Sequence, residues 1–424
     1  MIKEDFIHYL WKTKKLDLSD LKTVQGEKLE ILDFGVHNRD AGPDFFNAKI
    51  KLNDTIWAGN IEMHVNSSDW EKHKHHLDKA YNNVILHVVY QHDIRAKTQS
   101  GIELPTLEIK NRISKKDLKN YKLLRFNKDR IPCEKLIHKS SRLARIQALE
   151  KAVTDRLVNK AVRLKSLLQD NNYDWNEAFY ILLARYFGMK VNSTAFEMLA
   201  KALPYKVILK EKDDRTKIEA LLYGTAGMLN KEFKSGYPEL LTRHFKHLKN
   251  KYSLEPIPVS VWKFSRLRPS NFPTIRISQF AGILYKSEHL FRSIMETTEV
   301  KKMKDFFKTG ASEYWNTHYN FDIPSPARPK TLGKNSIEIL IINTVIPALF
   351  YYGHYHDETK YKDRALDMLS ELKAEKNSIT ALWKELGFDI RSAYDSQALI
   401  ELKTNYCAKF RCLECPVGND ILTK

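Results

Sequence analysis

The chain has 424 residues, 43% hydrophobic and 11% aromatic, with glycine and proline sparse; it can bury enough apolar surface to offset its conformational entropy, which excludes a disordered protein and allows two or three domains. Against 52 Asp+Glu stand 70 Lys+Arg, a net charge of +18 that attracts polyanions such as nucleic acid or an anionic membrane surface, and equally keeps lysine-rich helices soluble. Four cysteines are too few for a disulfide framework, the longest uncharged apolar run (339–352) falls short of the ~20 residues of a membrane span, and Ile2-Lys3-Glu4-Asp5 lacks a secretory pattern, so a cytoplasmic protein with no membrane partner is expected.

Residues 5–15 carry Phe6, Tyr9, Leu10 and Trp11 at helical spacing and predict a short amphipathic helix. Residues 29–36 and 45–52 read as strands, Asn53-Asp54 supplies a turn, and 56–65 reads as the strand returning antiparallel. Ser68 and Glu71 have the spacing of a capping box, predicting a helix that runs to about residue 81. Residues 84–90 form a β-branched-rich strand, and a hairpin-like piece around 101–109 extends the sheet. From about residue 141 the pattern turns helical, with Leu143, Ile146, Leu149, Val153 and Leu157 on one face, interrupted by a proline-rich interval at 256–273. The expected organisation is an α+β domain over 1–115, a linker over 116–140 carrying Cys133, a mostly α-helical region over 141–400 and a cysteine-rich tail over 401–424.

Gly42-Pro43-Asp44 and Glu62-Met63-His64 are the segments richest in chemistry. On a strand, Ile61, Met63 and Val65 point one way while Glu62 and His64 point together to the other. If the two strands pair as a hairpin, the Asp44 carboxylate approaches Glu62, and two adjoining carboxylates call for a cation such as Mg²⁺ or Mn²⁺.

These segments, in the order helix, three strands, helix, strand, resemble the PD-(D/E)XK nuclease superfamily, with its Pro-Asp on one strand and Glu-x-Lys on the next. The resemblance covers about the first 95 residues and implies a restriction-endonuclease-like mixed sheet. It also implies metal-assisted hydrolysis of phosphodiester bonds in DNA or RNA, with Asp44 and Glu62 holding the metal, the Met63 carbonyl adding a ligand, and His64 standing where the family has lysine. A neutral His64 can bind metal or take a proton but supplies no fixed charge, for which Lys49 or Lys51 would have to compensate.

Eight of the fifteen histidines fall within the first 92 residues. His73 and His76 lie three apart on the expected helix and, with His64 and His37, could form a site for Zn²⁺, Mn²⁺ or Fe²⁺, the chemistry of a small-molecule hydrolase; the alternative is that His75 is in solvent and the others hydrogen-bond within a polar cleft without metal, and His87 is expected as a satisfied core histidine.

Cys407, Cys412 and Cys415 form a C-x₄-C-x₂-C run that leaves Cys133 as the fourth sulfur, a set that fits an iron–sulfur cluster or structural zinc. Certain exonucleases of the superfamily look similar, one upstream and three downstream cysteines stapling the fold with a [4Fe–4S] cluster; here the helical region intervenes between Cys133 and the other three. Lys263, Arg266, Arg268 and Arg276, interleaved with Trp262, Phe264 and Phe272, make a candidate nucleic-acid contact or an ordinary linker.

The whole chain also resembles an uncharacterised family of bacterial proteins through Asp40-Ala41-Gly42-Pro43-Asp44-Phe45, Ser67-Ser68-Asp69-Trp70 and the 407–418 tail. The expected function is a metal-dependent nuclease; the rivals are an inactive nucleic-acid-binding or partner-binding module and the histidine-based hydrolase.

Overall fold

The computed structural model describes residues 2–38, 40–234, 236–287 and 289–424. Two compact units divide the chain, one of residues 1–150 with 402–424, the other of 151–401.

In the first unit, helix α1 (Glu4–Lys12) carries Glu4 and Asp5 in its first turn and Lys12 in its last, charges that complement its dipole, and it buries Phe6, Ile7, Leu10 and Trp11. The sheet comprises β1 (Leu29–Asp33), β2 (Val36–His37), β3 (Phe45–Leu52), β4 (Thr55–Asn66), β5 (Val84–Gln91) and β6 (Thr106–Glu108). Its order is β1-β3-β4-β5-β6, with β2 beside β3. Neighbours are antiparallel from β1 to β4 and parallel from β4 to β6, a mixed sheet. Val84 to Val89 are all buried, as a parallel strand covered on both faces requires. Gly59 lets β4 cross the start of β5, because a Cβ there would lie 2.5 Å from the Asn83 carbonyl oxygen.

Three sequence expectations are corrected. The strand expected over 29–36 splits in two: Asp33 Oδ1 accepts a hydrogen bond from the Gly35 amide at 2.9 Å, and Gly35 takes φ +77° where a Cβ would meet the Phe46 carbonyl. The helix expected from Ser68 to residue 81 is only α2 (Asp69–Lys72), followed by tight turns at His75–Leu77 and Lys79–Tyr81, because Lys74 enters the left-handed region at φ +63°. No capping box forms, since the Ser68 hydroxyl donates instead to Asp93 Oδ2 at 2.7 Å. Of the hairpin expected at 101–109, β6 and an isolated Lys97–Glu103 bridge remain.

Helix α3 (Lys115–Phe126) docks on α1 through Tyr121 stacked on Phe6 at 4.0 Å. Helix α4 (Arg142–Asp170) runs from the first unit into the second, which is helical almost throughout. Gly224 admits the Phe245 ring, whose Cγ would lie 2.0 Å from a Cβ there. The apolar stretch Lys334–Tyr355, interrupted by one wide turn at Ile341–Val345, is the one among the described residues long and apolar enough to cross a membrane, and 61% of the 18-residue apolar window within it is buried inside the protein.

Candidate active site

Asp44 and Glu62 meet where β3 leaves its preceding turn. The Asp44 amide donates to Glu62 Oε2 at 3.1 Å, and the Met63 amide donates to Asp44 Oδ2 at 2.9 Å. The β3–β4 register, Phe45 opposite Ile61, produces this contact, and a bulge follows at once: Asn47 takes φ +57° and the pairing resumes at Ala48 opposite Gly59. Glu62 is 5% exposed. Burial first, and the charge of Asp44 second, push its carboxyl up to about 9.

Helix α1 supplies two groups that sequence reasoning did not assign to the site. His8 Nε2 lies 3.1 Å from Asp44 Oδ2. Burial works against the His8 cation, but the contact with Asp44 and its charge outweigh it, so the His8 pKa is raised. One turn earlier, Glu4 is raised by burial while it feels His73, Asp44 and His8. The i, i+4 spacing of Glu4 and His8 was the available signal; that their face meets β4 was not in the sequence.

The histidines converge on the same carboxylate. His75 Nε2 lies 3.2 Å and His64 Nε2 3.7 Å from Glu62 Oε1, and His64 Nε2 lies 3.1 Å from His73 Nδ1. Ligand atoms of His64, His73 and His75 all fall within 4.8 Å of one another. On its far side His64 Nδ1 shares a 2.8 Å hydrogen bond with His87 Nε2. Burial, and then the neighbouring imidazoles, push His64 down to about 2; burial pushes His87 down to about 3. Neutral imidazoles are the metal-binding form, and the three gathered histidines could hold a metal ion.

This arrangement corrects the histidine expectations. His75, expected in solvent, is buried and stacks on Tyr81 at 3.8 Å. His73, at the end of α2, reaches His64, and the break at Lys74 brings His75 rather than His76 to the group: His76 Nδ1 is buried with no hydrogen-bond partner and lies outside the group of three. His87, expected to be satisfied, leaves Nδ1 without a partner. His37 packs beside Phe45 and His8, not on His64. Lys49 sits opposite Ala58, four residues along β4 from Glu62 and so about 13 Å away, and Lys51 is further still; neither supplies the missing charge.

All four cysteines belong to the first unit. Cys407 ends the wide turn Leu402–Cys407, Cys412 opens the turn Cys412–Glu414, and Cys415 precedes the helix Pro416–Leu422. Burial and then the charges of Cys407, Cys415 and Cys412 raise the Cys133 thiol; burial and then Cys415 push Cys412 up to about 12. The long sequence gap to Cys133 is thus closed by the chain's return. Gly418 lets the last helix close on the loop, since a Cβ would lie 2.1 Å from the Cys412 carbonyl oxygen, and Asn120 Nδ2 donates to the Ile421 carbonyl at 3.1 Å to hold that helix.

Lys263, Arg266 and Arg268 are exposed, but Arg276 is buried, donating to Asn271 Oδ1 at 2.7 Å, Gln279 Oε1 at 3.2 Å and Ser336 Oγ at 3.2 Å, which withdraws it from the expected nucleic-acid contact. Trp262, also buried, donates to the Ala226 carbonyl and offers no face to a base.

No curated protein and no solved structure matches the chain. Residues 4–378, a span that includes every carboxylate and histidine of the site and ends before the three tail cysteines, match the family described as a protein of unknown function, DUF2851, and the chain belongs to that family.

Proposed function

We propose that the first unit is a metal-dependent hydrolase of phosphodiester bonds in nucleic acid. The observation that carries this is the reciprocal contact of Asp44 and Glu62, with three imidazoles gathered on the Glu62 side. The succession of α1, antiparallel strands, α2 and a strand parallel to β4 agrees with the order that a PD-(D/E)XK nuclease would require, and the charge of +18 suits a polyanionic substrate. His64, His73 and His75 would hold the ion, with Glu62 beside His64 and His75, and Asp44 next to Glu62, supplying carboxylate oxygens. An ion held by these residues would supply polarisation of the phosphate and a lowered pKa for an attacking water. His8 orients Asp44, and His87 orients His64. Nitrogen-rich ligation favours Mn²⁺, Zn²⁺ or Fe²⁺ over Mg²⁺. The four cysteines would hold a [4Fe–4S] cluster or zinc that fastens the tail.

The gathered histidines also suit a second reading, hydrolysis of a small phosphorylated molecule at the same metal; turnover would then be insensitive to salt, whereas polynucleotide affinity falls steeply with it. The test is cleavage of labelled single- and double-stranded DNA and RNA with each metal, wild type beside Glu62→Ala. Metal-dependent cleavage that disappears in Glu62→Ala is expected. A folded, metal-loaded wild type that cleaves none of these substrates would leave an inactive binding module.

A further inference from the structure

A cavity of about 400 Å³ lies beside α1, and His8, which touches Asp44, is part of its lining. Its remaining walls come from segments far apart in sequence: Lys12 at the end of α1, Arg125 at the end of α3, and Lys409 and Phe410 between Cys407 and Cys412. Phe410 holds φ +54°, a backbone region that non-glycine residues seldom adopt, keeps 37% of its surface exposed, and lies under the Arg125 guanidinium at 5.4 Å. Two acids also line the cavity, each engaged within the unit: Glu414 pairs with Arg411 at 2.6 Å, and Asp5 accepts from Tyr121 at 3.4 Å.

We propose that this cavity is the subsite for a nucleotide of single-stranded nucleic acid next to the scissile bond. Its base stacks on Phe410, its phosphates are met by Lys12, Arg125 and Lys409, and the chain leads past His8 to Asp44 and Glu62. The volume is that of a site for one small ligand and admits a single nucleotide but not a duplex. The cysteine loop thereby becomes one wall of the substrate path. This inference rests on the hydrolase reading above, and its test reads binding separately from cleavage.

Binding of a short fluorescein-labelled oligothymidylate is measured by anisotropy in EDTA, for wild type, Phe410→Ala, Lys409→Ala and Glu62→Ala, with unlabelled duplex of equal length as competitor and thermal melts as a check on folding. Phe410→Ala is expected to weaken binding about tenfold or more and Lys409→Ala to reduce its salt dependence, with melts unchanged and duplex competing poorly. Equal binding by wild type and Phe410→Ala, or duplex competing as well as single strand, overturns the subsite even if cleavage is observed. Weakened binding in Phe410→Ala together with no cleavage under any metal supports the subsite and sinks the hydrolase.

Discussion

His64 and His87 share a 2.8 Å hydrogen bond between Nδ1 and Nε2 in surroundings that keep both rings uncharged. With the shared proton on His64 Nδ1, the His64 Nε2 lone pair faces His73 and Glu62, where a metal would sit. Replacing His87 by phenylalanine removes the acceptor that fixes this tautomer. Affinity for Mn²⁺ or Zn²⁺ is expected to drop roughly ten- to a hundredfold by calorimetry; an unchanged affinity would detach His87 from the site.

The metal-free protein should be most stable near pH 6.5. Glu62, pushed up to about 9 from 4.5, keeps a proton that the unfolded chain has released, so its stabilisation is complete below about pH 4.5 and lost as pH rises toward 9. His64 and His87, pushed down to about 2 and 3 from 6.5, act oppositely, and their stabilisation is lost as pH falls below 6.5; His75, also lowered, acts in the same sense. From pH 4.5 to 6.5 the three lowered histidines outnumber Glu62 and the likewise raised Glu4, and above 6.5 Glu62 and the raised His8 dominate. Melting temperatures in EDTA should therefore peak near pH 6.5, with the alkaline decline flattened in Glu62→Gln. A wild-type melting temperature that climbs steadily to pH 9 would contradict this account.

Loss of Cys133 or Cys412 should unfasten the tail. Cys412→Ser is expected to lower both the iron or zinc content of anaerobically purified protein and its melting temperature. Normal metal content in Cys133→Ser would remove that residue from the set.

Gly418→Ala tests the same loop without touching a sulfur. The added methyl would collide with the Cys412 carbonyl, at a cost of about 1–3 kcal/mol in denaturant unfolding. In the helical unit, Gly224→Ala drives a methyl into the Phe245 ring and should cost a similar amount. A neutral result at either position would mean that the neighbouring backbone yields more readily than this packing implies.

Much of the sheet was legible in the sequence. The strand Phe45–Leu52 carries the expected bounds because the Asn53-Asp54 turn fixes one end and Pro43 the other, and antiparallel pairing with β4 was enough to bring Asp44 to Glu62. What escaped depended on backbone excursions that side-chain periodicity does not record. Lys74 in the left-handed region exchanged His76 for His75. Asp93, twenty-five residues from Ser68, captured the hydroxyl that would have capped a helix. Arg276 looked like a phosphate ligand because nothing local revealed that Asn271, Gln279 and Ser336 would surround it.

The first unit closes around residues 402–424, and the ribosome must make residues 151–401 after the sheet has emerged and before that closure is possible. The carboxylates and histidines can therefore assemble early in synthesis, while the wall that carries Phe410 arrives late. If the proposed subsite holds, a nascent or truncated chain would carry the carboxylates and histidines without the Phe410 wall, and competence would come only when the tail is delivered, so that order of synthesis would act as a timer on the site.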